Sequence, residues 1–391
     1  MSNHRPPLLS DLLAEASEES VAARSVGGNR RQFLAKASRL GLLLPVAGAA
    51  LEACYKDEKA STVSKPTAQG DSASTAAIAP SHQNPDSRAD TALHTAHTPS
   101  SATGPALAGA SSAAFHRYDP ALPPLGSSRT LTLYWKAKEA PIKISASTVV
   151  AGWTFEGDIP GPIVHCRVGD TIDFTLTVEG AIPHSMDFHA AQIDPKTAFR
   201  SAAPGQSVSY TFRPKYPGAF LYHCGSAPVL MHLGSGMFGA IIVDPVEPLA
   251  AAKEFVLVQN EYYLAAAANG VQASDYNKML AMNPDMVCFN GRPNQYIDAP
   301  IRVKRGDRVR FFVVSAGPSH PCNFHIVGEQ FDTVYLGAPP TSAIHGVQTF
   351  SVAPGGGMIF ELVADVAGAF PFVNHGFGHG QKGAIGVMLV E

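Results

Sequence analysis

The residues of this chain that could carry out chemistry are gathered between positions 184 and 237. They are metal ligands of the soft and borderline kinds, namely His184, His189, His223, Cys224, His232 and Met237. Seven residues separate Cys224 from His232 and four separate His232 from Met237, so one loop can close around a single ion. A thiolate and two imidazoles in a plane, capped by a weak thioether, form a blue-copper site. We predict such a site here, with His184 as the second imidazole; the alternative is that Cys224 and Met237 are core residues.

The alternation of side chains along a strand divides the histidines into two groups. Successive side chains face opposite sides of a strand, so His223 faces away from the site that holds its neighbour Cys224. His184 and His189 differ by five positions, an odd number, so a regular strand also separates them. His189 and His223 therefore share a face, which indicates a second metal, although a purely structural pair is the alternative. The bond between Cys224 and His223 would then join the two metals.

The segments around these ligands read as strands. Residues 129–135, 171–177 and 207–212 alternate apolar and polar side chains and are separated by Pro and Gly turns. This pattern is typical of half-buried strands in a β-sandwich. We predict an all-β chain with two tandem Greek-key β-sandwich domains, at 128–248 and 249–391.

The prediction of two domains depends on an internal repeat. Residues 168–174 are echoed by 305–311, and 183–189 are echoed by 319–325, in the same order and at similar spacing. In the second copy the positions of Cys224, His232 and Met237 align with Asn374, Gly376 and Gln381. The second copy therefore carries no blue-copper site. It offers His325, which echoes His189, and His375, just past the lost cysteine.

The composition excludes several classes of protein. The formal net charge is −3, only 16% of the residues are charged, and no Lys/Arg cluster occurs, so nucleic-acid binding is not favoured. The 35 glycines and 31 prolines suit short strands joined by turns. Five scattered cysteines are too few for a disulfide scaffold.

The chain up to residue 127 differs from the rest. Arg30-Arg31 precedes a short apolar run that ends before Cys54, which is typical of a twin-arginine export signal with a lipoprotein cleavage site. We predict an export signal at 1–54, a periplasmic or cell-envelope location, and a lipid anchor on Cys54 as the only membrane contact. Residues 55–127 are mostly Ala, Ser, Thr and Pro, which predicts a disordered tether.

The motifs around the ligands resemble the copper-containing nitrite reductases over residues 128–391. The runs that carry the resemblance are His184-Ser-Met-Asp187-Phe-His189-Ala-Ala, Tyr222-His223-Cys224 and Met231-His232-Leu-Gly-Ser-Gly-Met237. The resemblance implies cupredoxin-like domains and a type 1 copper on His184, Cys224, His232 and Met237. It further implies a type 2 copper on His189, His223 and, from a neighbouring subunit, His375. The implied assembly is a homotrimer.

The same resemblance implies that nitrite is reduced to nitric oxide, the electron passing from the type 1 copper through Cys224-His223 to the type 2 copper. Its acid–base pair falls on Asp187 and His325. Val327 matches a residue that roofs the catalytic copper, and Thr349 matches one that helps hold the catalytic histidine. A small cupredoxin or a cytochrome c is the implied electron donor. One departure is Gln192-Ile193, where the family commonly has Thr-Gly near the substrate approach.

Two other functions compete with nitrite reduction. A laccase-like multicopper oxidase needs paired His-x-His motifs for its trinuclear cluster, and none occurs among the fifteen histidines. A non-catalytic copper or electron-transfer protein of the envelope would not need the second set of histidines or the acid–base pair. Nitrite reduction is therefore the function that we predict.

Some further residues receive no chemical role. His165-Cys166 has no His or Met downstream at ligand spacing and is interpreted as core packing. His345 and His379 are interpreted as surface or supporting residues. Cys288 and Cys322 could pair in an oxidising compartment, and the sequence leaves this open.

Overall fold

A computed structural model describes residues 113–391. In this range the chain forms nineteen strands and five helices, the longest helix having six residues. None of these helices is long and apolar enough to cross a membrane. The predicted export signal at 1–54, with Cys54, and the predicted tether as far as residue 112 lie outside the described residues.

Eight strands form the first sandwich: β1 (Thr130–Lys143), β2 (Val149–Phe155), β3 (Val164–Arg167), β4 (Thr171–Val178), β5 (Asp187–Phe188), β6 (Ser207–Phe212), β7 (Gly218–His223) and β8 (Phe238–Asp244). They make two sheets, ordered β2-β1-β4-β6 and β3-β8-β7-β5. Along β4, every second residue from Ile172 to Val178 is buried, as the sequence alternation predicts. Two short helices interrupt the strands, α1 (Pro195–Ala198) and α2 (Val229–Gly234).

Eleven strands form the second sandwich: β9 (Lys253–Tyr262), β10 (Met286–Phe289), β11 (Ala299–Val303), β12 (Arg308–Gly317), β13 (Cys322–Ile326), β14 (Phe331–Tyr335), β15 (Ala343–Val347), β16 (Thr349–Val352), β17 (Gly357–Val363), β18 (Gly368–Asn374) and β19 (Ile385–Val390). Their sheets are ordered β10-β9-β12-β17-β14-β15 and β11-β19-β18-β13-β16. The helices are α3 (Tyr276–Leu280), α4 (Gln295–Asp298) and α5 (Phe377–Gln381). The predicted all-β architecture of two sandwiches is confirmed.

One apolar cluster fills each sandwich, and a third joins the two sandwiches. In the third cluster, Leu221 on β7 and Ile242 on β8 lie with Val256, Phe312 and Ile359 of the second sandwich. Alternate residues of β7 therefore pack on opposite sides of its sheet. This fixes the strand that leads into His223 and Cys224 between two cores.

The described residues begin before the predicted domain boundary at 128. Tyr118 donates its backbone N–H to Gln295 Oε1 (2.8 Å) and its hydroxyl to the carbonyl of Gly161 (3.0 Å). Residues 113–127 thus contact both sandwiches, although they fall within the predicted tether. The sequence distinguishes residues 113–127 from the rest of the predicted tether, because the bulky Phe115, Tyr118 and Leu122 interrupt the run of Ala, Ser, Thr and Pro.

The arm formed by residues 113–127 is fastened by a buried arginine, and we expect its loss to destabilise the protein. Arg292 is fully buried and donates to the carbonyl of His116 (2.9 Å) and to Asp158 Oδ1 (2.7 Å). Arg292→Met should lower the free energy of unfolding by about 3 kcal/mol, because the carboxylate and the carbonyl lose their donor. Chemical denaturation measures this. Arg302→Met, which removes an exposed pair with Glu391, is the control and should have a much smaller effect.

The four cysteines within residues 113–391 are all buried and free: Cys166, Cys224, Cys288 and Cys322. Cys288 lies in the cluster between the sandwiches, and Cys322 lies in the core of the second sandwich. These two cysteines therefore do not pair in this structure. Cys166 packs in the core of the first sandwich.

Candidate metal centres

A thiol and two imidazoles converge inside the first sandwich. Cys224 Sγ lies 3.3 Å from His232 Nδ1 and 4.0 Å from His184 Nδ1, and the two Nδ1 atoms are 3.2 Å apart. All three side chains are buried, and so is Met237. Cys224 donates its backbone N–H to the carbonyl of Met237 (3.1 Å), and Met237 donates its own to the carbonyl of His232 (3.2 Å). We call His184, Cys224, His232 and Met237 the thiolate cluster.

The local sequence explains how the thiolate cluster is assembled. Cys224 follows the last residue of β7, His232 lies in α2, and Met237 comes directly before β8. Gly236 has a φ of +119°, a conformation that favours glycine, and this allows α2 to turn sharply into β8. The ring of Trp153 packs edge-on against His232, with centroids 4.7 Å apart.

The surroundings of Cys224 favour the thiolate form. Burial alone would raise the pKa of the thiol, but the contacts of His184 and His232 outweigh it and hold the pKa well below its ordinary value. The backbone N–H of Ser185 also donates to the sulfur (3.3 Å). His184 Nε2 lies 3.4 Å from Glu139 Oε1, which keeps Nδ1 facing the sulfur. A thiolate with two imidazole nitrogens and a nearby methionine suits a type 1 copper.

A second group of ligands lies at the surface of the same sandwich. Strand β5 pairs with β7 so that Asp187 stands opposite His223. His223 Nε2 lies 3.1 Å from His189 Nε2 and 3.9 Å from Asp187 Oδ2. We call Asp187, His189 and His223 the dihistidine cluster. His223 belongs to this cluster and Cys224 to the other, so the division that strand alternation predicts is the one that the structure shows.

The hydrogen bonds of the dihistidine cluster reveal which nitrogens are free. A carbonyl can only accept, so His189 Nδ1 must donate to Gly355 (3.0 Å) and His223 Nδ1 must donate to Cys224 (2.8 Å). Both Nε2 atoms of the neutral rings therefore carry lone pairs, although they are only 3.1 Å apart. Desolvation and the neighbouring charge of His223 lower the pKa of His189, which disfavours a proton between them. A cation would satisfy both lone pairs, so His189 and His223 fit a metal, with the Asp187 carboxylate nearby.

The second sandwich brings together the other predicted site residues. His325 on β13 and His375, just after β18, have ring centroids 5.1 Å apart. Thr349 on β16 is the register partner of His325, and Val327 follows β13 with 44% of its surface exposed. Within residues 113–391, His325 and His375 do not join the dihistidine cluster as metal-spaced neighbours. The predicted type 2 ligands thus lie in two separate places, His189 and His223 on the first sandwich and His375 on the second.

The family of the chain follows from its relatives. Two family models described as multicopper oxidase match residues 136–248 and 253–387. The copper-containing nitrite reductase of Neisseria meningitidis serogroup A is 36% identical in an alignment of 261 residues that covers 65% of this chain and 67% of that protein. This chain belongs to the copper-containing nitrite reductases.

Further members of the copper-containing nitrite reductases agree in sequence and in fold. The one from Neisseria gonorrhoeae is 36% identical over 65% of this chain and 66% of its own length. The structure of the copper nitrite reductase from Nitrosomonas europaea at pH 8.5 is 34% identical, with a TM-score of 0.63 over 67% of this chain and 94% of that one. The chain thus spans about two thirds of the length of the Neisseria relatives. Copper is the cofactor, and the thiolate cluster resembles a type 1 site.

The second sandwich repeats the backbone arrangement of the thiolate cluster, with Asn374 and Ala384 in place of the cysteine and the methionine. Asn374 donates its N–H to the carbonyl of Ala384 (3.0 Å), and Ala384 donates to the carbonyl of His379 (3.2 Å). These bonds repeat those that link Cys224 to Met237 and Met237 to His232. Gly383, with a φ of +121°, repeats Gly236.

This repeat corrects the alignment made from sequence. His379 and Ala384 stand where Gly376 and Gln381 were predicted, a shift of three residues, which places the half-buried His379 at the position of His232. Its ring lies 4.6 Å from that of His320, which matches His184. Asn374 still occupies the position that corresponds to Cys224.

Two groups that orient ligands were missed by sequence reasoning. Glu139 lies beside His184 although 45 positions separate them, and Gly355 accepts from His189 across 166 positions. The Gly355-Gly356-Gly357 run is conspicuous in the sequence, but nothing local links it to a histidine. Ile193, which belongs to the Gln192-Ile193 pair that departs from the family's usual Thr-Gly, packs against the core of the first sandwich.

Proposed function

We propose that this protein reduces nitrite to nitric oxide and water, consuming one electron and two protons per nitrite. The observation that carries the proposal is the direct bond between His223 and Cys224, which sets the dihistidine cluster back to back with the thiolate cluster. Bound copper supplies a one-electron carrier at the thiolate cluster and a Lewis acid that can accept nitrite at the dihistidine cluster. Cys224 and His223 then provide a short covalent path for the electron.

The proton donors that we propose are Asp187 and His325. Asp187 Oδ2 lies 3.9 Å from His223 Nε2 and its side chain is 28% exposed, so it can exchange protons with water and still reach a nitrite oxygen at the cluster. His325 donates from Nδ1 to the carbonyl of Gln348 (2.6 Å), which leaves Nε2 to take up and release a proton. We assign the first proton to Asp187 and the second to His325.

We infer that a second copy of the chain completes the dihistidine cluster. His375 is exposed, and Phe377, whose ring lies 4.5 Å from it, exposes 59% of its surface. Val327 exposes 44% on the same sandwich. An apolar surface around an exposed histidine suits burial against another subunit. A cyclic homotrimer in which His375 joins His189 and His223 of the neighbour gives three equivalent sites, with Val327 as their roof.

The dihistidine cluster also separates this function from its rivals. A non-catalytic electron carrier needs only the thiolate cluster, whereas two imidazoles with free lone pairs beside a carboxylate form an open site for a substrate. We propose that a small cupredoxin or cytochrome c of the periplasm or cell envelope delivers the electron. The export signal predicted at 1–54 and the lipid anchor predicted at Cys54 support that location. Cell fractionation is the measurement that checks it.

The proton role of Asp187 can be tested by its amide variant. Asp187→Asn keeps the shape of the side chain but cannot donate a proton, so kcat for nitrite should fall by about 100-fold. The measurement is anaerobic nitric oxide production from nitrite with a reduced dye as donor. The content of both coppers should stay unchanged, because the substitution removes no imidazole or thiolate.

The matched control is Asp173→Asn, which changes a half-buried carboxylate on β4 that is bonded to Thr211. It should retain the activity of the unchanged protein. Equal activity in Asp187→Asn and in the control would overturn the role of Asp187. Absence of nitric oxide from the fully copper-loaded unchanged protein would overturn the proposed function itself.

A further inference from the structure

A turn of the second sandwich touches one metal ligand of the first. His189 Nδ1 donates to the carbonyl of Gly355 at 3.0 Å. The other imidazole of the dihistidine cluster, His223, bonds instead to its own neighbour, the carbonyl of Cys224 (2.8 Å). The orientation of His223 is therefore secured locally by its own strand. That of His189 depends on the contact between the sandwiches.

The contact requires a turn without side chains. A Cβ on Gly357 would stand 2.2 Å from the carbonyl oxygen of Ala219, on the strand that leads to His223. Gly355 has a φ of +81°, and a Cβ there would stand 3.5 Å from His189 Cε1. Glycine removes the steric barrier at Gly357 and the conformational strain at Gly355. The run of three glycines lets the backbone approach β7 and His189 closely.

Backbone hydrogen bonds to β12 also hold the turn in place. Gly355 donates its N–H to the carbonyl of Ser315 (2.7 Å), and the carbonyl of Gly356 accepts from the N–H of Ser315 (3.0 Å). Ser315 is a fully buried residue of β12. The carbonyl that receives His189 is therefore fixed to the core of the second sandwich.

We propose that the Gly355–Gly357 turn is the positioning element of the type 2 copper. The Gly355 carbonyl holds His189 in the tautomer that presents Nε2 to the metal, and it ties copper affinity to the packing of the two sandwiches. The inference rests on the proposed function, which assigns a copper to the dihistidine cluster. Partners that orient a metal-bound histidine typically change metal affinity by about 10- to 100-fold.

The test compares full-length variants loaded with copper. Gly357→Ala should push the turn away from Ala219 and raise the dissociation constant of the type 2 copper by about tenfold or more. Gly355→Ala is the milder variant, since its Cβ meets His189 at an ordinary contact distance. Gly306→Ala is the matched control, because Gly306 has a similar φ of +88° and no neighbour within 4 Å. The type 1 absorption should be unchanged in all three.

A spectroscopic readout separates positioning from a general loss of stability. Pulsed electron paramagnetic resonance of the type 2 copper detects the remote nitrogen of each bound imidazole, which responds to its N–H hydrogen bond. We expect the signal of one imidazole to shift in the Gly355 and Gly357 variants and none to shift in Gly306→Ala. If Gly357→Ala loses the type 1 absorption as well, Gly355→Ala decides the question.

The possible outcomes distinguish a failure of the positioning role from a failure of the proposed function. Unchanged affinity and unchanged imidazole signals in both turn variants would overturn the positioning role while leaving nitrite reduction intact. An equal loss of copper in Gly306→Ala would also overturn it, since strain alone would then be the cause. Failure of the unchanged protein to bind any copper beyond the type 1 ion would instead overturn the proposed function.

Discussion

Replacing Cys224 with alanine is expected to abolish the intense visible absorption of the copper-loaded protein, together with nitrite reduction driven by a protein donor. The sulfur is the atom that both imidazoles of the thiolate cluster approach, at 3.3 and 4.0 Å, and charge transfer from a thiolate to copper produces the colour. Copper content should fall from about two ions per chain to about one. Nitrite reduction should fall by at least ~100-fold, because changing a residue beside a metal ligand can already cost that much and Cys224 is itself a ligand.

A matched control for this variant exists in the same sandwich. Cys166 is also buried, free and part of the first core, and burial raises the pKa of its thiol to about 12. Cys166→Ala should therefore keep the absorption, the copper content and the activity. Visible absorption that survives Cys224→Ala, or that disappears in both variants, would contradict the assignment of the type 1 site.

The division of the imidazoles and the thiolate between two clusters could be predicted because it depends on local rules, whereas Asp187 followed only from the resemblance to a family. Adjacent residues of a strand face opposite ways, so the pair His223-Cys224 alone divides the ligands between two sites. The short spacing from Cys224 to Met237 closes one of them. Strand alternation in segments such as 171–177 likewise predicts the sandwich, since its apolar side chains must be buried together.

The alignment of the two copies failed where loop lengths differ. The sequence alignment pairs His232 with Gly376 and Met237 with Gln381, but the backbone pairs Gly236 with Gly383, because both adopt a similar positive φ. A one-dimensional comparison cannot see that conformation. The consequence is that His379, rather than Gly376, takes the place of His232 in the second sandwich.

Contacts between distant segments were beyond local rules as well. The arm at 113–127 is ordered by Arg292 and Gln295, more than 170 positions away. The bond from His189 to Gly355 likewise joins two sandwiches whose packing no short motif encodes. Both depend on a surface that exists only after folding.

Replacing His375 with alanine is expected to leave the visible absorption intact and to abolish nitrite reduction. His375 lies outside the thiolate cluster, so the type 1 copper keeps all its ligands. The proposed type 2 site loses one of its three imidazoles, which should weaken copper binding there by about 100-fold or more. Metal analysis, the visible spectrum and anaerobic nitric oxide production measure these quantities on one sample. His345→Ala, an exposed histidine bonded to Thr333, is the control and should change none of them.

Mixing two inactive variants tests whether His375 acts on a neighbouring subunit. In a cyclic trimer, a site is intact when a His375→Ala chain supplies His189 and its neighbour, a His189→Ala chain, supplies His375. Random co-assembly of equal amounts should therefore restore about one quarter of the sites, although each variant alone is inactive. If all ligands came from one chain, every site in the mixture would lack a histidine and no activity would return. Recovery of about a quarter of the activity would require the shared interface, because no chain in the mixture carries a complete ligand set.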